Sequence, residues 1–170
     1  GYGGDQSGAL LYADVEDDVV LDVLVNGRYS GVLRSRSYRP MILSPYQYYD
    51  IEIRSRGDAM VDILNPSRQV VVYPGNVYTL KWQVKRSAVL LTTLVDLKGK
   101  MLPLASVKSD LERSLSDETG FVQVLASSNS TIDVTRQDGQ TCHATMPKIA
   151  ADDAVVDMPF LTCLTAEERP

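Results

Sequence analysis

The chain has 170 residues, of which 44% are hydrophobic and 23% charged, and its formal net charge is −5 at pH 7. This balance is typical of a globular protein and argues against disorder. The negative charge disfavours nucleic-acid binding, which needs a concentrated basic patch, and no apolar run approaches the ~20 residues that span a membrane.

Short strands separated by turn residues fill most of the chain, a spacing typical of β-sandwiches. After a flexible lead-in over residues 1–8, a first strand is predicted over residues 8–15. Residues 19–33 (VVLDVLVNGRYSGVL) predict a hairpin, because Asn26-Gly27 tolerates the positive φ that a two-residue turn requires. Further strands are predicted within residues 41–55, 59–65, 69–75 and 77–84.

Alternation along two of these strands predicts which side chains enter the core. With a period of two, Tyr49, Ile51 and Ile53 share one face of their strand. The same rule places Trp82 among Tyr78, Leu80 and Val84, so Trp82 is predicted to be a core anchor.

The basic stretch Lys85-Arg86-Ser87 predicts a domain boundary, because it separates one set of strands from the next. We therefore expect an all-β protein of two small Greek-key, Ig-like β-sandwich domains in tandem, over residues 1–86 and 87–170. Residues 106–120 (SVKSDLERSLSDETG) leave two alternatives open. They predict either a helix of one or two turns within 107–119 or a polar strand-loop crossing.

The two cysteines, Cys142 and Cys163, flank the last segment of the chain. An even count placed to close a chain end indicates a disulfide formed in an oxidising compartment. Its loop of about 20 residues would contribute roughly 3 kcal/mol of stability by constraining the unfolded state.

No catalytic, metal-binding or cofactor-binding set of residues is recognisable. The single histidine, His143, follows Cys142 directly, and strand alternation turns it to the opposite, outward face. A disulfide-bonded Cys142 cannot act as a thiolate nucleophile. Two cysteines and one histidine do not make a zinc site, which takes four ligands in close pairs. We therefore expect a protein that is not an enzyme and needs no cofactor.

Aromatic and basic residues are concentrated between residues 34 and 49. Tyrosines are common in sandwich corners and cores, but if Tyr49 packs inward, Tyr46 and Tyr48 face water. Exposed tyrosines beside arginines are typical of protein-contact surfaces. The candidate partner-binding residues are Tyr46, Tyr48, Arg34, Arg36 and Arg39.

The order of several short motifs resembles the C-terminal region of outer-membrane ushers of the chaperone–usher pilus pathway, closest to those of alpha-type (CS1-like) fimbriae. The motifs are LSPYQYYDIEI, VVVYPGNVYTLKW, LLTTLVDLKGKMLPLASV, GFVQVL, CHATMP and LTC. The resemblance extends from about residue 8 to residue 163. At 104–106 this chain has Leu-Ala-Ser where the family often has an aromatic residue or glycine, so a turn of different shape is expected there.

The resemblance implies a periplasmic, soluble binding module on the inner side of the Gram-negative outer membrane. It implies two small β-sandwich domains that hold chaperone–pilin subunit complexes during pilus assembly, beside other domains of the same usher. Neither a nucleic-acid partner nor insertion of this segment into the membrane is expected. The alternative interpretation, from the exposed tyrosines, is a free-standing adhesin or carbohydrate-binding β-sandwich. A hydrolase on a sandwich scaffold ranks third.

Overall fold

A computed structural model describes residues 7–170, which form strands and turns without a helix. These residues therefore contain no helix that is long and apolar enough to cross a membrane. The strands are β1 (Ser7–Asp14), β2 (Val20–Val25), β3 (Arg28–Arg34), β4 (Arg39–Leu43), β5 (Tyr48–Ser55), β6 (Met60–Ile63), β7 (Ser67–Val71), β8 (Val77–Val95), β9 (Ser106–Lys108), β10 (Arg113–Leu115), β11 (Phe121–Ser127), β12 (Thr131–Thr135), β13 (Thr141–Thr145) and β14 (Val155–Thr162).

The chain divides into two compact units between Lys85 and Arg86. The first unit contains residues up to Lys85 together with Ala150–Asp152, and the second contains the remainder. Strand β8 contributes residues 77–85 to the first unit and 86–95 to the second.

In the first unit, an antiparallel sheet of order β3-β2-β5-β7 packs on strands β4, β1, β8 and β6. Strand β1 is antiparallel to β4 and parallel to β8. The core between them is apolar and includes Leu11, Leu21, Ile51, Ile53 and Trp82, all fully buried.

In the second unit, β8 is antiparallel to β11 and parallel to β14, and the other sheet has the order β10-β9-β12-β13. Its core includes Leu90, Val107, Val124 and Ile132. The predicted all-β class and sandwich arrangement are therefore confirmed.

Local predictions in the first unit are also confirmed. Asn26 and Gly27 have φ of 52° and 79° and join β2 to β3 as the predicted two-residue turn. Trp82 is fully buried, and its indole N–H donates to the Pro66 carbonyl at 3.1 Å. Burial of Ile51 and Ile53, with Tyr49 packed against the same core, confirms the predicted face of β5.

Residues 106–120 form the antiparallel strands β9 and β10, so the strand-loop alternative is correct and the helix is not formed. The apolar spacing was misleading, because Leu111 and Leu115 are exposed while Val107 alone enters the core. The hydroxyl of Ser109 accepts the backbone N–H of Leu111 and of Glu112 and closes the turn between the strands.

Two further predictions need correction. The strand break expected at residues 85–87 is absent, because β8 runs through it. Buried Arg86 is accommodated there by donating to the carbonyls of Ser87 and Asp153. Residues 1–6 of the predicted flexible lead-in lie outside the described residues. Ser7 and Gly8, the rest of it, belong to β1 and are buried.

The turn at 104–106 has Leu104 at φ 50°, a left-handed geometry that favours glycine.

Candidate partner-binding surface

Tyr46 and Tyr48 lie on the turn before β5 and at its first residue. The turn is held by the backbone N–H of Tyr46, which donates to Val72 O at 2.6 Å, and by the Tyr49 hydroxyl, which accepts the backbone N–H of Ser44 at 3.0 Å. Tyr46 has φ 61°, a left-handed conformation that costs a non-glycine residue about 1 kcal/mol. Its side chain is nevertheless 77% exposed.

Two residues at the end of β7 and just after it extend this surface. Val71 lies directly opposite Tyr48 in the antiparallel register of β5 and β7, and Tyr73 follows two residues later. All of them are exposed: Tyr48 55%, Val71 46% and Tyr73 53%. We call Tyr46, Tyr48, Val71 and Tyr73 the tyrosine surface.

The sequence interpretation missed Val71 and Tyr73, although the signal is present in VVVYPG. Alternation buries Val70 and Val72 and leaves Val71 and Tyr73 outside. The run of three valines concealed this alternation.

The structure does not bring Arg34 to the tyrosines. Arg34 pairs with Val20 on β2, next to Leu21, which pairs with Ser55 at the far end of β5. Ser55 is seven residues from Tyr48 along β5, a separation of roughly 23 Å at about 3.3 Å per residue. Arg34 and Tyr48 therefore lie at opposite ends of this sheet.

Arg36 is used within the first unit. Its guanidinium donates to the carbonyls of Val15, Glu16 and Asp17 and forms an ion pair with Asp18 at 2.7 Å. These contacts hold the acidic turn after β1.

Arg39 is also used internally, since its guanidinium donates to the carbonyls of Val32 and Ser30 on β3. Gly31 leaves the room for it, because a Cβ there would lie 2.9 Å from the guanidinium carbon. Of the five candidate residues, Tyr46 and Tyr48 are brought together, whereas Arg36 and Arg39 stabilise loops and strands of the fold.

In the second unit, Cys142 and Cys163 form the predicted disulfide, with 5.5 Å between their Cα atoms. Both residues are buried. Beside them, His143 and Leu164 exchange backbone hydrogen bonds of 2.8 Å. The terminal segment is therefore attached to β13 both covalently and through the backbone.

His143 points away from Cys142, as alternation predicts. It is, however, only partly exposed and contacts a side chain of the neighbouring strand. Its Nδ1 lies 2.6 Å from Asp133 Oδ1, and its side chain is 30% exposed. Asp133 is its direct partner in the β12–β13 register, a long-range pairing that the sequence pattern does not contain.

Two turn carboxylates have lowered pKa values. The backbone N–H of Lys100, and then that of Lys98, lower the pKa of Asp96 by hydrogen bonding to its carboxylate. The hydroxyl and backbone N–H of Thr119 lower the pKa of Asp117 in the same way. These shifts keep both groups ionised, the opposite of what a general acid at neutral pH requires. Among residues 7–170, no three His, Cys, Asp or Glu side chains are grouped so that they could hold a metal ion.

Comparison with known proteins gives one family and several relatives. Residues 72–164 match the family described as CS1-pili formation C-terminal. A probable outer membrane usher protein EcpC of Escherichia coli O157:H7 is 28% identical over 153 residues, which cover 88% of this chain. The corresponding protein of E. coli O127:H6 is 27% identical over the same length. The chain spans only 18% of the length of these curated relatives.

Among solved structures, the chain is similar to one in the E. coli P pilus tip assembly intermediate PapC-PapD-PapK-PapG, with a TM-score of 0.44 and 19% identity. That match covers 96% of this chain and 20% of the other. The family match spans more than half of the chain and includes the strand β8, the motif GFVQVL and the disulfide. This confirms the resemblance drawn from the motifs, and the chain belongs to the CS1-pili formation C-terminal family.

Proposed function

We propose that this chain is a non-enzymatic periplasmic module of a fimbrial usher, which holds chaperone–pilin subunit complexes during pilus assembly at the outer membrane. The observation that carries the proposal is membership of the CS1-pili formation C-terminal family. The length of the usher relatives supports a modular role, since other domains of the same polypeptide would supply the pore. The two sandwich domains proposed are residues 1–86 and 87–170.

The tyrosine surface is the part of the first unit that we propose contacts the partner. Tyrosines are enriched among the residues that dominate binding energy, because they bury a large apolar area at a small cost in side-chain conformational entropy. Tyr46 supports this choice, since it keeps a strained backbone conformation while its side chain is 77% exposed. Backbone strain of this kind is concentrated at functional sites.

The proposal contains no catalytic step. Cys142 is held in the disulfide and His143 is paired with Asp133, so neither offers an activated nucleophile beside a free base.

The proposal is tested by calorimetric titration of the 170-residue chain with the chaperone–pilin complex encoded alongside it, with free chaperone as a control. We expect binding of the complex in the micromolar range or tighter. Tyr48→Ser should weaken binding at least tenfold. Tyr29 is at least as exposed and lies on edge strand β3, and Tyr29→Ser should change binding less than threefold.

Tyr46→Gly separates function from stability. Glycine adopts φ 61° without strain, and this offsets the entropy that glycine loses on folding, so the variant should be at least as stable as wild type while binding the complex more weakly. Failure of the wild-type chain to bind any cognate complex would overturn the proposed function. Tyr48→Ser and Tyr46→Gly variants that bind like wild type would overturn the assignment of the tyrosine surface.

A further inference from the structure

Within residues 7–170, strand β7 has a free edge, because it pairs with β5 and lies last in the order β3-β2-β5-β7. Val72, the residue after β7, directs its backbone to the turn that leads into β5: its N–H donates to Gln47 O at 3.0 Å and its carbonyl accepts the N–H of Tyr46. Alternate residues of a strand direct their backbone groups to opposite sides. Gln69 and Val71 therefore direct their N–H and C=O groups away from the sheet.

The opposite edge of the same sheet, β3, is blocked by a side chain. Arg39 donates to the outward carbonyls of Ser30 and Val32. Strand β4, an edge of the other sheet, contains Pro40, which has no N–H to offer. Such devices prevent an edge strand from pairing with another chain.

The outer edge of β11 in the second unit is likewise blocked by side chains. The carboxylates of Asp110 and Glu112 accept the backbone N–H of Ser127 at 3.0 Å and of Leu125 at 2.6 Å. The hydroxyl of Ser109 donates to the Leu125 carbonyl at 2.6 Å. These contacts replace the hydrogen bonds that an added strand would make.

The edges of β13 and β14 are protected as well. His143 on β13 already exchanges two backbone hydrogen bonds with Leu164. Strand β14 carries Pro159 within an irregularity of its pairing between Asp157 and Phe160. The remaining edge strands in residues 7–170, β6 and β10, are only four and three residues long.

From this contrast we infer that β7 is a docking edge to which an extended strand of the partner adds through backbone hydrogen bonds to Gln69 and Val71. The inference rests on the proposed function and specifies how the chaperone–pilin complex is held. Strand addition supplies affinity through main-chain bonds and specificity through alternate side chains. Because Val71 lies beside Tyr48 on the outer face, the added strand places apolar side chains next to the tyrosine surface.

The charge of the outer face adds a second requirement on the partner strand. Asp50 is the register partner of Gln69, and its carboxylate accepts the hydroxyl of Ser67. Within the described residues, no Lys or Arg forms an ion pair with Asp50. A lysine or arginine on the added strand would be attracted to this carboxylate, so the partner strand combines apolar and basic side chains.

Val71→Pro tests the inference, because proline removes the outward N–H and projects its ring towards the incoming strand without breaking a bond to β5. Val71→Thr is the matched control, since it keeps both the N–H and the β-branched shape. With the chaperone–pilin complex as the probe, Val71→Pro should bind at least tenfold more weakly than Val71→Thr, because both change the side chain and only proline removes the N–H. Retained Trp82 fluorescence and melting temperature check the fold of each variant.

Amide hydrogen exchange of the wild-type chain gives a readout that needs no variant. The amides of Gln69 and Val71 should exchange rapidly in the free chain and become protected in the complex. A wild-type chain that binds the complex with these amides unprotected, or as tightly as its Val71→Pro variant, overturns strand addition and leaves the proposed function standing. No binding by the wild-type chain overturns both.

Discussion

Removing the hydroxyl of Ser116 is expected to destabilise the second unit strongly. Ser116 is 1% exposed, and its Oγ accepts the N–H of Ala105 and donates to the carbonyl of Leu102, both at 2.8 Å. In Ser116→Ala two hydrogen bonds disappear, each contributing about 1 kcal/mol, and a buried donor is left unsatisfied at a cost of about 1–3 kcal/mol. The sum is a loss of about 3–5 kcal/mol.

Urea unfolding followed by far-UV circular dichroism measures this loss, and amide exchange at Ala105 locates it. Ser114→Ala is the matched control, because the hydroxyl of Ser114 makes one exposed hydrogen bond, to Gln123 O at 2.9 Å. That variant should lose no more than about 0.5 kcal/mol. Equal stability losses in the two variants, or an Ala105 amide that exchanges as slowly as in wild type, would refute the reasoning.

Three further predictions concern stability. Replacing Cys142 and Cys163 together, separated by 21 positions, should cost roughly 3 kcal/mol in urea unfolding, and wild-type stability should fall similarly under reducing agent. Because the folded-state pKa of Asp117 is lowered from 3.8, its contribution is present above that pH and is lost as pH falls through the lower value. Acid titration of Asp117→Asn should therefore show a smaller loss of stability below pH 3.8 than wild type, and identical pH profiles would contradict this. Gly31→Ala should destabilise the first unit by about 1–3 kcal/mol, because Gly31 has φ 109° and its Cβ would displace the Arg39 guanidinium. A melting temperature equal to that of wild type would contradict both the backbone strain at Gly31 and the clash with Arg39.

Features decided by near neighbours along the chain were predictable. Asn26-Gly27 predicts its turn because few other pairs accept two positive φ values in succession. Alternation identified the buried faces carrying Ile53 and Trp82, since successive side chains of a strand must point to opposite sides. The disulfide followed from there being only two cysteines.

The candidate site was predictable only in part. Tyr46 and Tyr48 were identified from composition and alternation, but Val71 on β7 and Tyr73 just after it lie more than 20 positions away in sequence. Two of the arginines near them in sequence, Arg36 and Arg39, donate to backbone carbonyls of the fold, which depends on contacts between distant segments. Arg39 does so on β3.

The sequence by itself determined the strand-rich fold, the turns, the buried faces and the family, because each depends on local backbone preference, on side-chain alternation or on motif order. Only the tertiary structure decided which strands are edges and which edges are closed. That outcome depends on strand order and on side chains such as Glu112 and Arg39 reaching backbone groups elsewhere in the fold. The open edge of β7 is a property of the assembled sheet, since the backbone groups of Gln69 and Val71 are chemically the same as those of any other residue.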